Sequence, residues 1–288
     1  MAAPQGPKQC LPGKVLSVTP LSPEIFRLDC AWAGSPPRPG QFFMLKPELS
    51  GVFLPRPISA ALWEAPSGGL RGQRAGTGRL GFFIALRGRG TAELARLKRG
   101  GGITLWGPLG NSWKDFPPLN GGNQAAAQGV PGQGLKPLAL IGGGIGAAPL
   151  LALAAELPPL SFDFLAGFRY PVSGTDEKTV FGLKEIKART LIIAAEKGGG
   201  KTVRRGRIPD FLEAAEYSAV FACGPEAMLA AAAAACKAAA VPCYVSLERR
   251  MACGVGACLG CTVETRRGSR RCCADGPIFP AEEIYFDS

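Results

Sequence analysis

Histidine is missing from the 288-residue sequence, and charged residues make up only 19% of it. The lack of histidine excludes a Rieske centre, which needs two histidine ligands, and removes the usual nitrogen ligand of zinc sites. The first ten residues carry no apolar core, so no signal peptide is predicted. Residues 138–155 are uncharged, but four glycines and a proline there favour a strand, a turn and a helix over a membrane span. We therefore expect a cytoplasmic protein, which agrees with its many thiols.

Lysine and arginine outnumber aspartate and glutamate by 33 to 22, which gives a net charge of +11. Such a surplus raises nucleic acid as a partner. The cationic groups are scattered, however, and do not alternate with aromatic residues as a nucleic-acid platform requires. One group, Arg266, Arg267, Arg270 and Arg271, faces either an acidic partner or only solvent. With 47% hydrophobic residues, we expect a soluble, globular protein of two or three domains.

Five of the ten cysteines crowd into one glycine-rich segment near the C-terminus. Cys253, Cys258 and Cys261 follow the spacing C-x4-C-x2-C, with a fourth candidate at Cys272 or Cys273, which is typical of a plant-type [2Fe-2S] site. Small residues between them let the backbone fold over the inorganic sulfides. A disulfide framework is typical of short secreted chains, and zinc would want paired C-x2-C knuckles. The thiols outside any motif are expected to be structural: Cys10, Cys30, Cys236 and Cys243.

Residues 14–109 consist of short β-rich runs broken by glycine and proline, which predicts an antiparallel barrel or sandwich. Within this region, Arg56-Pro57-Ile58-Ser59 places an arginine and a serine on one predicted strand. Such an arginine can form a bidentate pair with the FAD pyrophosphate, and the hydroxyl can reach the flavin. By itself the pattern also suits a surface arginine beside a strand-edge proline.

Two glycine turns follow in the same region. Gly90 and Thr91 open a predicted helix whose backbone N–H groups can hold an anion. Residues 107–111, Gly-Pro-Leu-Gly-Asn, then form a turn that closes the β-rich region. Beyond it, residues 116–136 are rich in glycine, proline, glutamine and asparagine and are interpreted as a linker or an insertion.

A nucleotide-binding pattern begins at residue 137. A buried-strand run is followed by Gly142-Gly143-Gly144-Ile145-Gly146 and a predicted helix, where glycine lets the backbone approach a pyrophosphate, although tight strand-to-helix turns use glycine anyway. About eighty residues on, a second strand ends in Cys223-Gly224-Pro225. Alternating strands and helices lie between the two, as an α/β domain needs. Cys223 faces either a nicotinamide or the core, and neither Asp163 nor Arg169 distinguishes NADH from NADPH.

The segments SLERRMACGVGACLGC and CADGPIF resemble the cluster loop and fourth-ligand segment of the electron-transfer subunit of NAD-linked, heteromeric (B-type) dihydroorotate dehydrogenase. The resemblance covers most of the chain, because R-P-x-S, G-T, G-P-x-G and C-G-P-x-x-M stand in the order of the ferredoxin-reductase superfamily. It implies that Cys273 is the fourth ligand and that NADH is the dinucleotide. The chain departs from the family at Ile84 and Ala85, where a tyrosine and an arginine are common, so a FAD contact there is expected from the backbone or elsewhere.

The resemblance implies a multi-domain β plus α/β protein. Its parts are an antiparallel FAD-binding β-barrel (residues 1–115), the linker (116–136), a Rossmann-like NAD-binding α/β domain (137–240) and a small [2Fe-2S] domain (241–288). The implied cofactor contacts are Arg56, Pro57, Ile58, Ser59, Phe83, Ile84, Ala85, Gly90 and Thr91 for FAD, and Gly142, Gly143, Gly144, Ile145, Gly146, Cys223, Gly224 and Pro225 for NAD. The implied metal ligands are Cys253, Cys258, Cys261 and Cys273.

The implied function is that of an NAD-linked oxidoreductase subunit. It would pass electrons through the [2Fe-2S] cluster and FAD between NAD+ and an FMN-containing catalytic dihydroorotate dehydrogenase subunit, in pyrimidine (UMP) synthesis. A heterotetramer with two copies of each chain is expected, without nucleic acid or membrane. The alternative in the same class is a reductase subunit that serves a hydrogenase or an oxygenase. In another class, the chain would be a zinc-stabilised binding protein.

Overall fold

The computed structural model describes residues 8–66, 76–120, 136–170, 180–198 and 202–286. Most of the predicted linker, residues 121–135, therefore lies outside the described residues. The described strands form two seven-stranded sheets and one short hairpin. In these described ranges, no helix is long and apolar enough to cross a membrane.

The first sheet is antiparallel and curled, which confirms the barrel-like fold expected for the β-rich region. Strand β4 (Arg56–Ser59), at one edge, contacts β6 (Gly78–Ala85), which lies next to the strand at the other edge. The core of the curl contains Phe43, whose ring meets Trp32 and Phe82 edge to face at centroid distances of 5.1 and 5.8 Å. The seven strands of this sheet are β1 (Gln9–Pro20), β2 (Ile25–Trp32), β3 (Phe42–Pro47), β4 (Arg56–Ser59), β5 (Leu62–Glu64), β6 (Gly78–Ala85) and β7 (Gly102–Leu109). Across the sheet they lie in the order β4-β3-β7-β1-β2-β6-β5.

One short helix, α1 (Arg89–Ala95), follows β6 and buries Leu94 in the core of the first sheet. After β7, a 3-10 turn (Trp113–Asp115) leads away from the sheet. The Asp115 side chain accepts a hydrogen bond from the Ser112 backbone N–H, and the Ser112 hydroxyl accepts one from Lys114. These reciprocal bonds satisfy backbone groups at the start of the turn.

The second sheet is parallel except for its last strand. The alternation of strands and helices in the sequence predicted an α/β domain of this kind. Strand β8 (Leu138–Gly143) is fully buried and central, which explains its continuous hydrophobic run. Strands β9, β10 and β11 are added in turn on one side of β8. The chain then returns to the other side of β8 and forms β12 (Ala219–Cys223), so the strand order reverses between β8 and β12. The seven strands of this sheet are β8 (Leu138–Gly143), β9 (Phe162–Phe168), β10 (Thr190–Ala195), β11 (Arg204–Arg205), β12 (Ala219–Cys223), β13 (Cys243–Ser246) and β16 (Ile278–Pro280). Across the sheet they lie in the order β11-β10-β9-β8-β12-β13-β16.

Two α-helices and several 3-10 helices connect these strands. Helix α2 (Ala148–Glu156) follows β8, and helix α3 (Glu226–Ala238) follows β12. Reversal points like that between β8 and β12 form ligand crevices at the carboxyl ends of parallel strands. The 3-10 helices in this part are Gly144–Ala147, Val180–Glu185, Ile208–Phe211, Ala214–Glu216 and Ala281–Glu283.

The cysteine-rich segment leaves the second sheet after β13 and returns to it at β16. It contains a hairpin of β14 (Thr262–Thr265) and β15 (Gly268–Arg271). Strand β13 runs parallel to β12 and antiparallel to β16. The segment predicted as a separate cluster domain thus shares two strands with the sheet of the nucleotide-binding part, while its exact bounds stay a prediction.

Candidate functional site

A cleft of about 290 Å³ lies between the curled sheet, the glycine turn after β8 and the start of the cysteine-rich segment. Most residues predicted to contact FAD line it, on β4, β6 and α1: Arg56, Pro57, Ile58, Ser59, Phe83, Ile84, Ala85 and Thr91. We call it the flavin cleft. Ile84 and Ala85, the positions that depart from the family pattern, are therefore at this cleft.

The Arg56 guanidinium lies against the backbone of Gly90. A Cβ atom built on Gly90 would overlap the Nε atom of Arg56, so a side chain at position 90 would displace the guanidinium. Arg56 forms no salt bridge with a described residue and lines the flavin cleft. An arginine without an acidic partner in a cleft is suited to a phosphate ligand.

Thr91 also lines the flavin cleft, but its hydroxyl is occupied by the local turn. The Oγ1 atom accepts the backbone N–H of Arg87 at 2.9 Å and donates to the carbonyl oxygen of Gly88 at 3.0 Å. These bonds fix the entry into α1. Thr91 therefore shapes the turn that presents Gly90 to Arg56.

A second cleft of about 750 Å³ lies at the carboxyl end of the parallel sheet. Gly143, Gly144, Ile145 and Pro225, from the predicted NAD contacts, line it. We call it the nucleotide cleft. It adjoins the flavin cleft, because Ala85, Arg87 and Ile145 line both.

Three predicted contact residues act by close packing instead of lining the nucleotide cleft. A Cβ on Gly146 would overlap the carbonyl group of Cys223, and one on Gly142 would overlap Ala147. Gly224 has a φ of +158° and would place a Cβ 2.9 Å from the backbone nitrogen of Gly143. These contacts bring the glycine turn after β8 against the Cys223-Gly224-Pro225 turn, as the two sequence motifs require.

Cys223 is 4% exposed and lines the flavin cleft, which Ser246 and Glu248 also line. Burial, followed by the negative charge of Glu248, raises the pKa of the Cys223 thiol to about 12, while a hydrogen bond with Ser246 opposes the rise. The thiol is therefore protonated at neutral pH. Burial inside the cleft also raises the pKa of Glu248, against the opposing charge of Arg87.

The cysteine loop, residues 253–261, folds back on itself through residues with positive φ. Gly254, Gly256 and Leu259 have φ values of +69°, +85° and +58°. The backbone N–H of Cys258 donates to the Sγ of Cys253 at 3.4 Å. Burial raises the pKa of the Cys253 thiol, but hydrogen bonds from the Cys258 and Val255 backbones outweigh it and bring the pKa to about 6. Inward N–H groups and a stabilised thiolate suit iron ligation.

The two candidates for the fourth ligand differ in their hydrogen bonds. The backbone N–H of Cys273 donates to the Sγ of Cys261 at 3.4 Å. The Cys273 thiol has a side-chain hydrogen bond with Cys261 and a backbone hydrogen bond with Gly256, both part of the cysteine loop. The Cys272 thiol has neither of these hydrogen bonds, although Cys261, Cys272 and Cys273 are all buried. This arrangement favours Cys273.

The cysteine loop rests on the curled sheet. A Cβ on Gly254 would lie 2.7 Å from Cγ of Met44 on β3 and 3.1 Å from a methyl of Leu109 on β7. Met251, two residues before Cys253, lines the flavin cleft. The loop and the flavin cleft therefore share a wall.

The four thiols fit a binuclear cluster in their chemistry. Among the described residues, no three His, Cys, Asp or Glu side chains meet around a point that could hold one metal ion. The N–H to sulfur bonds link Cys258 with Cys253 and Cys273 with Cys261, and the chain contains no histidine, so these four thiols are the donor set predicted for a plant-type [2Fe-2S] site.

Some cleft residues escaped sequence reasoning. Ser246, Glu248 and Met251 line the flavin cleft, and Glu24 and Arg207 line the nucleotide cleft. Glu248 lies in the SLERRMACGVGACLGC segment, but the sequence pattern assigned it no role. Its approach to Cys223 depends on the pairing of β12 with β13, which has no signal in a single sequence.

Residues 248–285 match the family model of the iron-sulfur cluster binding domain of dihydroorotate dehydrogenase B. Proteins named dihydroorotate dehydrogenase B (NAD(+)), electron transfer subunit, are similar over most of their length. The protein from Clostridium acetobutylicum is 34% identical over 250 residues, 87% of each chain. The protein from Caldanaerobacter subterraneus is 32% identical over 280 residues, 95% of this chain and 97% of that protein.

Solved structures show the same fold. A chain of the NADH-dependent reduced ferredoxin-NADP oxidoreductase superposes with a TM-score of 0.69 at 23% identity, over 96% of this chain and 90% of that chain. The ferredoxin reductase of carbazole 1,9a-dioxygenase gives 0.58 at 22% identity, over 83% and 68%. These neighbours confirm the ferredoxin-reductase-like fold, and the sequence relatives show that the chain belongs to the family of dihydroorotate dehydrogenase B electron transfer subunits.

Proposed function

We propose that this chain exchanges electrons between NAD+/NADH and a separate catalytic dihydroorotate dehydrogenase subunit, in pyrimidine synthesis. One observation carries the proposal: the nucleotide cleft, the flavin cleft and the cysteine loop adjoin one another in that order. Ile145 lines both clefts, and Met251 joins the flavin cleft to the loop. When bound, NAD exchanges two electrons at once, a [2Fe-2S] cluster carries one, and FAD converts between the two.

The chain's own residues divide the work of binding. The turn at Gly143 and Gly144 and Pro225 hold the dinucleotide in the nucleotide cleft. Arg56 binds the FAD pyrophosphate, while Ser59 and the β6 backbone at Ile84 and Ala85 line the flavin site. The Cys223 thiol is protonated and therefore uncharged where it lines the flavin cleft. An uncharged thiol suits a position beside the nicotinamide better than a thiolate would.

Cys253, Cys258, Cys261 and Cys273 hold the cluster. Cys258 is exposed, whereas Cys261 and Cys273 are buried. Next to Cys258, Val255 and Leu259 are 44% and 61% exposed. The exposed side of the loop is therefore where a partner approaches, because electron transfer needs a short path to the cluster.

The partner in this proposal contains FMN and forms a heterotetramer with two copies of each chain. The relatives' names support a catalytic partner, since each is called an electron transfer subunit. We place the complex in the cytoplasm. All ten cysteines lie in described residues and none forms a disulfide, which supports a reducing compartment.

The test uses the purified full chain, without and with a separate catalytic dihydroorotate dehydrogenase subunit. The chain alone should contain about one FAD and two irons with acid-labile sulfide, and should pass electrons from NADH to ferricyanide. It should not oxidise dihydroorotate, because no (β/α)8 repeat of about 250 residues is present in the sequence to bind FMN. Adding the catalytic subunit should produce dihydroorotate-dependent reduction of NAD+.

Two results would contradict the proposal. A chain that contains zinc and no labile sulfide would contradict the predicted cluster. Steady dihydroorotate oxidation by the chain alone, with the partner shown absent by mass spectrometry, would contradict the electron-transfer role. NADH oxidation that couples only to a hydrogenase or oxygenase component would favour the alternative reductase.

A further inference from the structure

Arg249 brings a second guanidinium to the flavin cleft, from a different sheet than Arg56. It follows β13 of the parallel sheet, whereas Arg56 is on β4 of the curled sheet, and both line the cleft. Arg249 lies four residues before Cys253, and Met251 between them lines the same cleft. Arg249 is therefore part of the wall that leads from the flavin cleft to the cysteine loop.

Two acceptors hold the Arg249 guanidinium in place. Its Nη1 atom donates to the carbonyl oxygen of Glu248 at 3.0 Å and faces Oε2 of Glu226 at 3.4 Å. Among the described residues, its Nε and Nη2 atoms have no acceptor. Because one nitrogen is already fixed, less side-chain freedom is lost when the guanidinium meets a ligand in the cleft.

Glu226 compensates the positive charge of Arg249 only in part. The ion pair is long, at 3.4 Å, and its side chains are 33% and 40% exposed, so solvent screens it. Glu226 is also the first residue of α3, where the helix dipole attracts a negative charge. Arg249 therefore keeps much of its positive field inside the flavin cleft.

The flavin cleft has more positive than negative charge. Arg56, Arg87 and Arg249 line it, against the carboxyl of Glu248. In the proposed function, Arg56 binds the FAD pyrophosphate. On reduction near neutral pH, the flavin ring gains two electrons and one proton, and it therefore takes up one further negative charge. A fixed cation beside the ring stabilises this reduced form more than the oxidised form.

We propose that Arg249 raises the reduction potential of the bound FAD by stabilising its reduced, negatively charged form. This inference rests on the proposed function, which places FAD in this cleft. Since the flavin exchanges electrons with both NAD and the cluster, its potential decides where the electrons reside. Arg249 thereby favours the transfer of electrons from the cluster to the flavin.

The test is a reductive titration of the purified full chain against reference dyes, in which the visible spectrum follows the flavin and EPR follows the cluster. Arg249→Gln should shift the equilibrium between oxidised and reduced FAD about ten-fold toward the oxidised form, which lowers the potential of a two-electron couple by about 30 mV. This is the scale of one unit charge acting over roughly 12 Å at an effective dielectric constant of about 20. Arg249→Lys keeps the charge and should restore most of the original potential.

Two further variants separate the effect of charge from a change in structure. Arg250→Gln is the matched control, because Arg250 is the next residue, is exposed and does not line the flavin cleft. Its FAD potential should equal that of the unaltered chain. Glu226→Gln removes the charge that opposes Arg249 and should raise the FAD potential, whereas damage to the cleft would not produce shifts of opposite sign.

The same samples distinguish the ways of failing. Equal FAD potentials in the unaltered chain and the Arg249→Gln variant, or an equal shift in Arg250→Gln, would overturn this inference. Loss of FAD from Arg249→Gln on gel filtration, with full retention in Arg56→Ala, would make Arg249 the phosphate ligand and would overturn it too. An unaltered chain that contains neither FAD nor labile sulfide would instead overturn the proposed function itself.

Discussion

The side chain of Asn111 donates a hydrogen bond to the carbonyl oxygen of Ile278 at 2.8 Å and accepts one from the Ile278 N–H at 3.0 Å. Both residues are buried. The Asn111 backbone N–H donates to the carbonyl oxygen of Gly276 at 2.7 Å as well. The turn that closes the curled sheet is thereby joined to the strand that follows the cysteine-rich segment.

Replacing Asn111 with alanine should destabilise the protein by roughly 1–3 kcal/mol, because it leaves buried backbone groups of Ile278 without partners. Thermal unfolding of the cofactor-loaded chain should show the loss as a Tm lower by several degrees. Asn120→Ala is the control, since its side-chain amide donates to the Asp115 carbonyl oxygen at an exposed position. Equal effects of the two substitutions would contradict a special role for Asn111.

Replacing Cys273 with serine should abolish or strongly shift the EPR signal of the reduced cluster, because serine supplies a harder oxygen ligand. The same change at Cys272 should leave the signal in place, since that thiol has no hydrogen bond with Cys261 or Gly256. Iron and labile sulfide contents provide the second measurement. The reverse result would assign the fourth ligand to Cys272.

Replacing Arg56 with alanine should weaken FAD retention by about 1.5–3 kcal/mol, the contribution of a hydrogen bond to a charged group. Gly90→Ala should have a similar effect, because the added methyl group occupies the place of the Arg56 side chain. Flavin content after dilution and gel filtration measures both. Arg99→Ala, at an exposed arginine outside the cleft, is the control. Unchanged retention in the Arg56 variant would argue against its phosphate role.

Replacing Asp29 with asparagine should destabilise the curled sheet in a pH-dependent way. Burial tends to raise the pKa of the Asp29 carboxyl, but hydrogen bonds from Arg79, Arg27 and Ser17 prevail and lower it below 3.8. A lowered folded-state pKa contributes stability that is complete above the unfolded value and is lost as pH falls through the folded value. The variant should therefore differ from the original at pH 7 and pH 5, and the difference should shrink below about pH 3.8.

The expected loss at neutral pH is about 1–3 kcal/mol, less than for a fully buried pair, because Arg27 and Arg79 are 26% and 33% exposed. Denaturant unfolding at several pH values measures it. Glu64→Gln is the control, since Glu64 faces the same Arg79 at 3.6 Å but is 58% exposed. A pH-independent difference at Asp29 would rule out the charge as its cause.

Local motifs in the sequence predicted the parts of the site that neighbouring residues build. The cysteine spacing and its glycines specify a tight loop, and the structure gives Gly254 and Gly256 the positive φ values that such a loop needs. Likewise, glycine after a buried strand predicted the turn at Gly143. These signals survive in a single sequence because both partners lie within a few residues.

Contacts between distant residues had no such signal. Asn111 and Ile278 are 167 positions apart, and asparagine in a glycine turn is ordinary without knowledge of its partner. The contacts of Arg169 and Lys197 with the Tyr170 ring depend on β9 and β10 being neighbours in the sheet. The choice between Cys272 and Cys273 depends on which thiol the end of the hairpin turns toward Cys261. Strand order in the sheet and side-chain direction determine these contacts, and neighbouring residues in the sequence predict neither of them.

Ser246 and Ile278 are directly opposite partners in the antiparallel pair of β13 and β16. Leu247 and Pro277 extend this pair with a backbone hydrogen bond of 2.9 Å. Everything between them, including the predicted metal ligands, is therefore topologically a long hairpin loop, and a two-residue turn could in principle close the same two strands. A chain shortened in this way would keep β13 and β16 but lose all four predicted cluster ligands, so the one-electron part of this protein is confined to a single insertion between two neighbouring strands.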